Sequence, residues 1–199
     1  MKTAIIKYNA GNIRSVSFAL DRLGAEHIIT ADPDEIKAAD KVIFPGVGEA
    51  SSTMKYLREH KLDELIVNLK QPVLGICLGM QLMCSHSDEG NVACLGIFNE
   101  QVKKFELPAN NTDLIKVPHM GWNTITDVNS KLFDASLEGQ YVYFVHSYYV
   151  ALGEHTAATT NYILPYSSAL HKNNFYATQF HPEKSGDIGS RILENFIKL

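Results

Sequence analysis

The segment Gly75-Ile76-Cys77-Leu78-Gly79-Met80-Gln81 combines a thiol with two close glycines. Pro72-Val73-Leu74 before it reads as a short buried strand, and Leu82-Met83-Cys84 after it can continue as a helix. A cysteine at a strand-to-helix turn of this kind is a nucleophile elbow, the thiol counterpart of the Gly-x-Ser-x-Gly turn. Such a turn is tight and strained, so its neighbours must lack bulky side chains. The nucleophile then stands over the N-terminus of the following helix. That end favours a thiolate and offers backbone N–H groups to an oxyanion.

A nucleophile of this type needs a base, and the base an orienting group. Gln179-Phe180-His181-Pro182-Glu183-Lys184-Ser185 supplies both. Phe175 to Phe180 reads as a strand ending at His181, and Pro182 biases His181 towards extended backbone. Residues two apart on an extended backbone point the same way, which lets Glu183 reach the imidazole. Cys77, His181 and Glu183 thus form a Cys-His-acid set in the order nucleophile, base, acid. His146 also ends a strand, but no acid stands two residues beyond it.

The elements that must position these groups follow a regular order. Ala4 to Ile6, His27 to Thr30, Lys41 to Phe44 and the run before Cys77 read as strands. Between them lie a helix capped by Asn12 and stopped at Gly24, with Ile13, Val16, Leu20 and Leu23 as its apolar stripe, and a short helix opened by Asp32-Pro33 and running through Ala38. Helical segments fill about 50 to 70. This is the βαβ pattern of a parallel sheet. The second half is richer in strands: Leu95 to Phe98, Val102 to Phe105, Tyr141 to Val145, Thr156 to Thr160 and Phe175 to Phe180. Asp187 is placed to cap a final helix. The expected fold is an α/β sandwich, an open, mostly parallel sheet flanked by helices, with the site at the carboxyl ends of its strands.

At 199 residues the chain suits one domain spanning residues 1–199. Net charge is −4, without a basic stripe, which argues against nucleic acid. No apolar stretch approaches the roughly 20 residues of a membrane helix, and the N-terminal segment is too short and charged for a signal peptide. Three cysteines, Cys77, Cys84 and Cys94, make no disulfide framework and match no zinc spacing, which fits a reducing cytoplasm. Asn110-Asn111-Thr112 reads as a loop.

Further segments carry chemical potential. Pro45-Gly46-Val47-Gly48 follows the third strand, and its glycines allow N–H groups to turn outward and join that of Leu78 in an oxyanion hole. Lys116 to Asn123 holds the single Trp in a loop punctuated by Pro and Gly, the make-up either of a recognition surface or of a core Trp beside a turn. Along Tyr141 to Tyr149, alternation gives one face to Tyr141, Tyr143 and Val145 and the other to Val142, Phe144 and His146.

Taken together, these segments resemble the class I, triad-type glutamine amidotransferases, whose fold is flavodoxin-like. The Pro118-His119-Met120-Gly121-Trp122-Asn123 segment and Lys184-Ser185 narrow the resemblance to glutaminase subunits of imidazole glycerol phosphate synthases, from histidine biosynthesis. The likeness runs from Tyr8 to Gly186. It implies that Cys77 attacks the carboxamide of glutamine, that His181 shuttles the proton, and that Glu183 orients His181. It places Val47, Gly48 and Leu78 around the oxyanion, and Gly48, Gln81, Glu89 and the Ser147-Tyr148 backbone around glutamine. It implies no cofactor and no metal. It implies a heterodimer with a (β/α)8-barrel cyclase that receives ammonia, docked through Asn12, Met120, Trp122, Asn123, Tyr143 and Lys184. Free ammonia would be protonated in water, so delivery through a closed passage is chemically reasonable. Where many relatives carry an acidic residue and a second glycine before Gly11-Asn12, this chain has Lys7 and Asn9.

Other readings belong to other classes. An amidotransferase of anthranilate or guanylate synthesis would lack the Pro118 to Asn123 segment, and a surface-sugar amidation paralogue would share much of the pattern. A stand-alone γ-glutamyl hydrolase or Cys peptidase would be fully active without a partner. A non-catalytic scaffold would not need an intact triad.

Overall fold

The computed structural model describes residues 1–8, 12–108 and 115–199. The Asn9-Ala10-Gly11 stretch and the Asn110-Asn111-Thr112 loop therefore lie outside the described residues. In the first half, β1 (Thr3–Ile6), α1 (Ile13–Arg22), β2 (His27–Thr30), α2 (Pro33–Ala38), β3 (Lys41–Phe44), α3 (Ala50–Glu59), α4 (Leu62–Val67), β4 (Val73–Ile76) and α5 (Leu78–Met83) follow in turn. The second half contains β5 (His86–Ser87), β6 (Val92–Ala93), β7 (Gln101–Lys104), β8 (His119–Thr124), β9 (Tyr141–His146), β10 (Tyr148–Val150), β11 (Thr156–Tyr162), β12 (Leu164–Lys172), β13 (Phe175–Thr178) and α6 (Gly186–Ile197).

The helices form where the pattern places them. Asp32 caps α2, its carboxylate accepting from the amides of Asp34 and Glu35 at 2.8 and 3.3 Å. α1 buries Val16, Ala19 and Leu20, and α6 buries Ile192, Leu193 and Phe196, each a stripe of helical spacing.

The main sheet is ordered β2-β1-β3-β4-β13-β12-β10-β7-β5-β6, with β11 pairing β12. It is parallel from β2 to β13 and mostly antiparallel beyond, while β8 and β9 make a separate hairpin sheet. Its central strands are buried on both faces, as parallel strands between helical layers must be. Alternation splits them between two cores. Ala4, Ile6, Val42, Phe44 and Val73 pack under α2 to α5. Ile5, Ile43, Leu74 and Ile76 pack under α1, α6 and the β8-β9 sheet.

Four expectations are corrected. Leu95 to Phe98 is not a strand: the amides of Leu95, Gly96 and Phe98 donate to the carbonyls of Leu82, Cys84 and Met83 at 2.9 Å each, closing the end of α5. Residues 119–124 are a strand rather than a loop, paired antiparallel to β9 from His119↔His146 to Thr124↔Tyr141. Asp187 lies inside the first turn of α6, whose N-terminal boundary residue is Ser185. Asn12 precedes α1 in a left-handed conformation (φ 71°) without capping it, because its side chain is engaged elsewhere. The strands β5, β6, β8, β10 and β12 are not legible as strands from local pattern. Among the described residues no helix is long and apolar enough to cross a membrane.

Candidate active site

Parallel pairing assembles the site. β4 and β13 run side by side with Thr178 opposite Ile76, so the residues just beyond each strand emerge together. The amide of Cys77 donates to Thr178 O at 2.8 Å, tying the elbow to the strand that leads to His181. Cys77 has φ 53° and ψ −106°, the strained backbone expected of an elbow. Its flanking glycines are sterically required. A Cβ on Gly79 would lie 2.0 Å from Phe44 O, and one on Gly75 would meet Met83 Sδ at 2.9 Å.

His181 Nδ1 lies 2.8 Å from Glu183 Oε1, with both side chains fully buried. His181 is extended, as Pro182 requires, but Glu183 belongs to a single 3-10 turn, Pro182–Lys184. The turn, closed by Lys184 N–H donating to His181 O at 3.0 Å, brings the carboxylate back to the ring. Extended alternation is not the means. The segment is braced from β9: His181 N–H donates to Tyr143 O at 2.9 Å, Ser185 Oγ donates to His181 O at 2.6 Å, and Tyr143 N–H donates to Ser185 Oγ at 3.0 Å. Asn12 Nδ2 also donates to Glu183 Oε1. Its side chain thus serves the acid rather than an outward surface.

Burial would lower the basicity of His181, but interaction with Cys77 and Glu183 outweighs it and raises the pKa to about 10. Among the described residues His181 Nε2 has no hydrogen bond of regular geometry. The Cys77 sulfur accepts from Gln179 Nε2 at 3.8 Å and lies 4.0 Å from Val145 O. His146, the other strand-end histidine, is unsuited to be the base. Burial pushes its pKa down to about 3, and its Nδ1 donates to Tyr148 O at 2.7 Å. Its Nε2 faces His119 and Tyr166, both at 3.3 Å.

The oxyanion turn is closed in this conformation. Leu78 N–H donates to Gly46 O at 3.3 Å, so one expected donor is occupied. The Tyr8 hydroxyl donates to Pro45 O, and a Cβ on Gly46 would lie 2.2 Å from that hydroxyl oxygen. Gly48 has φ 138°, a conformation suited to glycine.

A cleft of about 340 Å³ opens beside the sulfur, lined by Val47, Gly48, Cys77, Leu78, Gln81, Glu89, Ser147 and Tyr148, together with Pro118, Val145 and His146. Every residue expected around glutamine is therefore in one place. Glu89 accepts from Ala50 N–H at 2.9 Å; burial raises its pKa, the Ala50 amide opposes this, and nearby Glu49 adds to it. A larger groove of about 670 Å³, between α2 and α4, is lined by Lys37, His60, Lys61 and Lys70 among others and by no cysteine, serine or threonine. Among the described residues no cluster of three or more His, Cys, Asp or Glu could hold a metal ion.

The expected docking residues divide into two groups. Met120 (63% exposed), Trp122 (55%) and Tyr143 share the outer face of the β8-β9 sheet, with Trp122 edge-on to Tyr143, and Lys184 is exposed next to the triad acid in sequence. Asn123 lies on the opposite face of β8, donating to Asn161 O at 3.0 Å, because alternation turns it away from Met120 and Trp122. Sequence reasoning missed Tyr141, 59% exposed on the same outer face, although the alternation with Tyr143 marks it. It also missed Gln179, whose partners come from distant segments and leave no local signal.

A model of the family "Glutamine amidotransferase class-I" matches residues 5–199. The imidazole glycerol phosphate synthase subunit HisH from Bacteroides thetaiotaomicron is 64% identical over 199 residues, covering all of both chains. The HisH protein from Haemophilus influenzae is 48% identical, covering 98% of this chain and 96% of its own. The chain belongs to the class I glutamine amidotransferases, in their HisH family. The fold agrees: a glutamine amidotransferase of known crystal structure superposes with TM-score 0.73 at 17% identity, covering 98% of this chain and 97% of that one. PurLQS from Thermotoga maritima superposes with TM-score 0.69 at 13% identity, covering 99% and 97%. The chain thus shares its overall fold with solved structures that have little sequence in common with it.

Proposed function

We propose that this chain is the glutaminase subunit of an imidazole glycerol phosphate synthase, a single-domain cytoplasmic enzyme working in a heterodimer with a (β/α)8-barrel cyclase. The observation that carries the reading is the buried His181–Glu183 pair beside an elbow cysteine, at the edge of the cleft that gathers Gly48, Gln81, Glu89, Ser147 and Tyr148.

Cys77 Sγ attacks the side-chain carbonyl carbon of glutamine while His181, kept cationic by Cys77 and Glu183, holds the proton of the thiol. The carbonyl oxygen becomes an oxyanion, held by backbone N–H groups of Val47, Gly48 and Leu78. On collapse the C–N bond breaks and His181 returns its proton to the leaving nitrogen, giving ammonia and a thioester. Water, deprotonated by His181, hydrolyses the thioester to glutamate and free thiol. Glu183 holds the imidazole and stabilises its cationic form. Glu89 provides a carboxylate for the substrate ammonium.

The occupied Leu78 amide describes a resting site. For the oxyanion hole to open, the turn at 45–48 must move and Gly46 O must release Leu78 N–H. A cyclase that binds the open form more tightly shifts the population towards it by its differential affinity. The outer face of β8-β9, with Met120, Trp122, Tyr141 and Tyr143 beside Lys184, has the aromatic and thioether make-up of a docking surface. Ammonia then passes directly to the barrel.

The test is Cys77→Ala in the complex. Glutamine-dependent synthesis should vanish while synthesis from added ammonium salts continues. Residual glutamine hydrolysis would remove the nucleophile assignment. Full glutaminase activity of wild-type chain alone would refute the partner switch and favour a stand-alone hydrolase.

A further inference from the structure

Gln179 is fully buried behind the nucleophile, and the mechanism above leaves it without a role. Its Nε2 lies 3.8 Å from Cys77 Sγ. Its Oε1 accepts from Gln81 Nε2 at 3.0 Å. Gln81 Nε2 donates again to Tyr148 O at 2.9 Å. The polarity of such an amide chain must be set by an atom with no choice of role. The Tyr148 carbonyl is that atom, since it can only accept. It draws the nitrogen of Gln81 towards itself. The second N–H of Gln81 then meets Gln179 Oε1, and Gln179 is left with its N–H groups towards the sulfur. Both hydrogens of Gln81 are used, so the atom it has left for the cleft is Oε1, an acceptor. His146 Nδ1 fills the remaining capacity of the same carbonyl at 2.7 Å, which keeps it in place.

We infer that Gln179 is a positioning residue: it keeps an N–H on the Cys77 sulfur and locks Gln81 with its carbonyl oxygen facing the substrate ammonium. This deepens the glutaminase reading and rests on it. An ammonium is donor-only and fits a carbonyl oxygen, whereas a turned amide would present N–H groups and repel it. One side chain thereby links the thiol to recognition of the amino-acid end of the substrate.

The test uses Gln179→Met, which keeps the volume and removes both polar atoms. The first readout is iodoacetamide alkylation of Cys77, followed by peptide mass spectrometry on the full chain as a function of pH. At pH 7.5 alkylation should slow about tenfold, the effect of losing one hydrogen bond to a charged sulfur, and the profile should move to higher pH. In the complex, KM for glutamine should rise about tenfold as Gln81 is freed. A second variant, Gln81→Met, cuts the chain one residue from the sulfur and should slow alkylation at least threefold. Its alkylation decides the matter if Gln179→Met does not fold. Wild-type alkylation profiles, or an unchanged KM in a folded Gln179→Met enzyme, would overturn the inference. Cys77→Ala separates the two readings. If it keeps glutaminase activity, the proposed function fails; if it is inactive while Gln179→Met behaves as wild type, only the role of Gln179 fails.

Discussion

Replacing Asn12 tests whether the acid of the triad depends on support from the start of α1. Asn12 Nδ2 and His181 Nδ1 share Glu183 Oε1, and Glu183 Oε2 has no hydrogen-bond partner among the described residues. Asn12→Ala therefore leaves a fully buried carboxylate with the imidazole as its one described partner. A hydrogen bond to a charged group contributes about 1.5–3 kcal/mol. Asn12 is half-buried, so water can replace part of the loss and the lower end applies, about 1.5 kcal/mol. If that loss falls on the transition state, kcat/KM drops about tenfold. If it falls on the folded state, the melting temperature drops by about 3–6 °C at this chain length. Asn12→Asp should be worse. It sets a second carboxylate against the first, a repulsion of roughly 4 kcal/mol at 4 Å and intermediate dielectric, and its activity should partly recover at lower pH as one carboxyl protonates. The assay is glutamate release by the complex, with ammonium-dependent synthesis as the control for cyclase integrity. An Asn12→Ala enzyme within twofold of wild type in rate and unchanged in melting temperature, or an Asp variant no worse than the Ala variant, would refute the argument.

Four other outcomes follow from the same structure. Gly79→Ala forces a Cβ to within 2.0 Å of Phe44 O, so it should destabilise the fold by several kcal/mol and abolish activity; a melting curve within about 3 °C of wild type would contradict the clash. His181→Ala should lose most glutamine hydrolysis, Glu183→Gln less and His146→Ala least at the chemical step; a normal His181→Ala rate would move the base elsewhere. Burial holds His119 and His146 near pKa values of about 4 and about 3, so their stabilisation is complete above about pH 6.5 and is lost as pH falls. The raised His181 acts oppositely, stabilising fully below about pH 6.5 and fading as pH rises towards about 10, so the unfolding free energy from urea titrations should peak near pH 6.5 and be lower by about 2–3 kcal/mol at pH 5. Trp122→Ala and Tyr141→Ala, both at solvent-facing positions, should weaken cyclase binding at least tenfold by calorimetry while leaving the melting temperature within about 2 °C.

The local chemistry is written in the chain itself. A cysteine between glycines after an apolar run implies an elbow, because only small neighbours tolerate that backbone, and the Gly79 to Phe44 approach is the steric reason. The βαβ periodicity of the first half is equally local, since each helix and strand there carries its own apolar face and its own stop. Whatever depends on which strands become neighbours is settled by packing. The pairing of β4 with β13 brings Cys77 to His181 across more than a hundred residues, and no spacing rule contains that register. The 3-10 turn at Pro182–Lys184, rather than extended alternation, aims Glu183 at the ring. Asn12 looks like a helix cap or a surface residue in sequence, and becomes a donor to Glu183 once α1 packs beside the triad. Residues 95–98 have the apolar make-up of a strand, yet their amides close α5, because the end of a buried helix must find donors for its carbonyls. The Tyr148–Gln81–Gln179–Cys77 chain is the extreme case. Each of its hydrogen bonds joins residues far apart in sequence, and its polarity is set by one backbone carbonyl that only the folded sheet puts in reach.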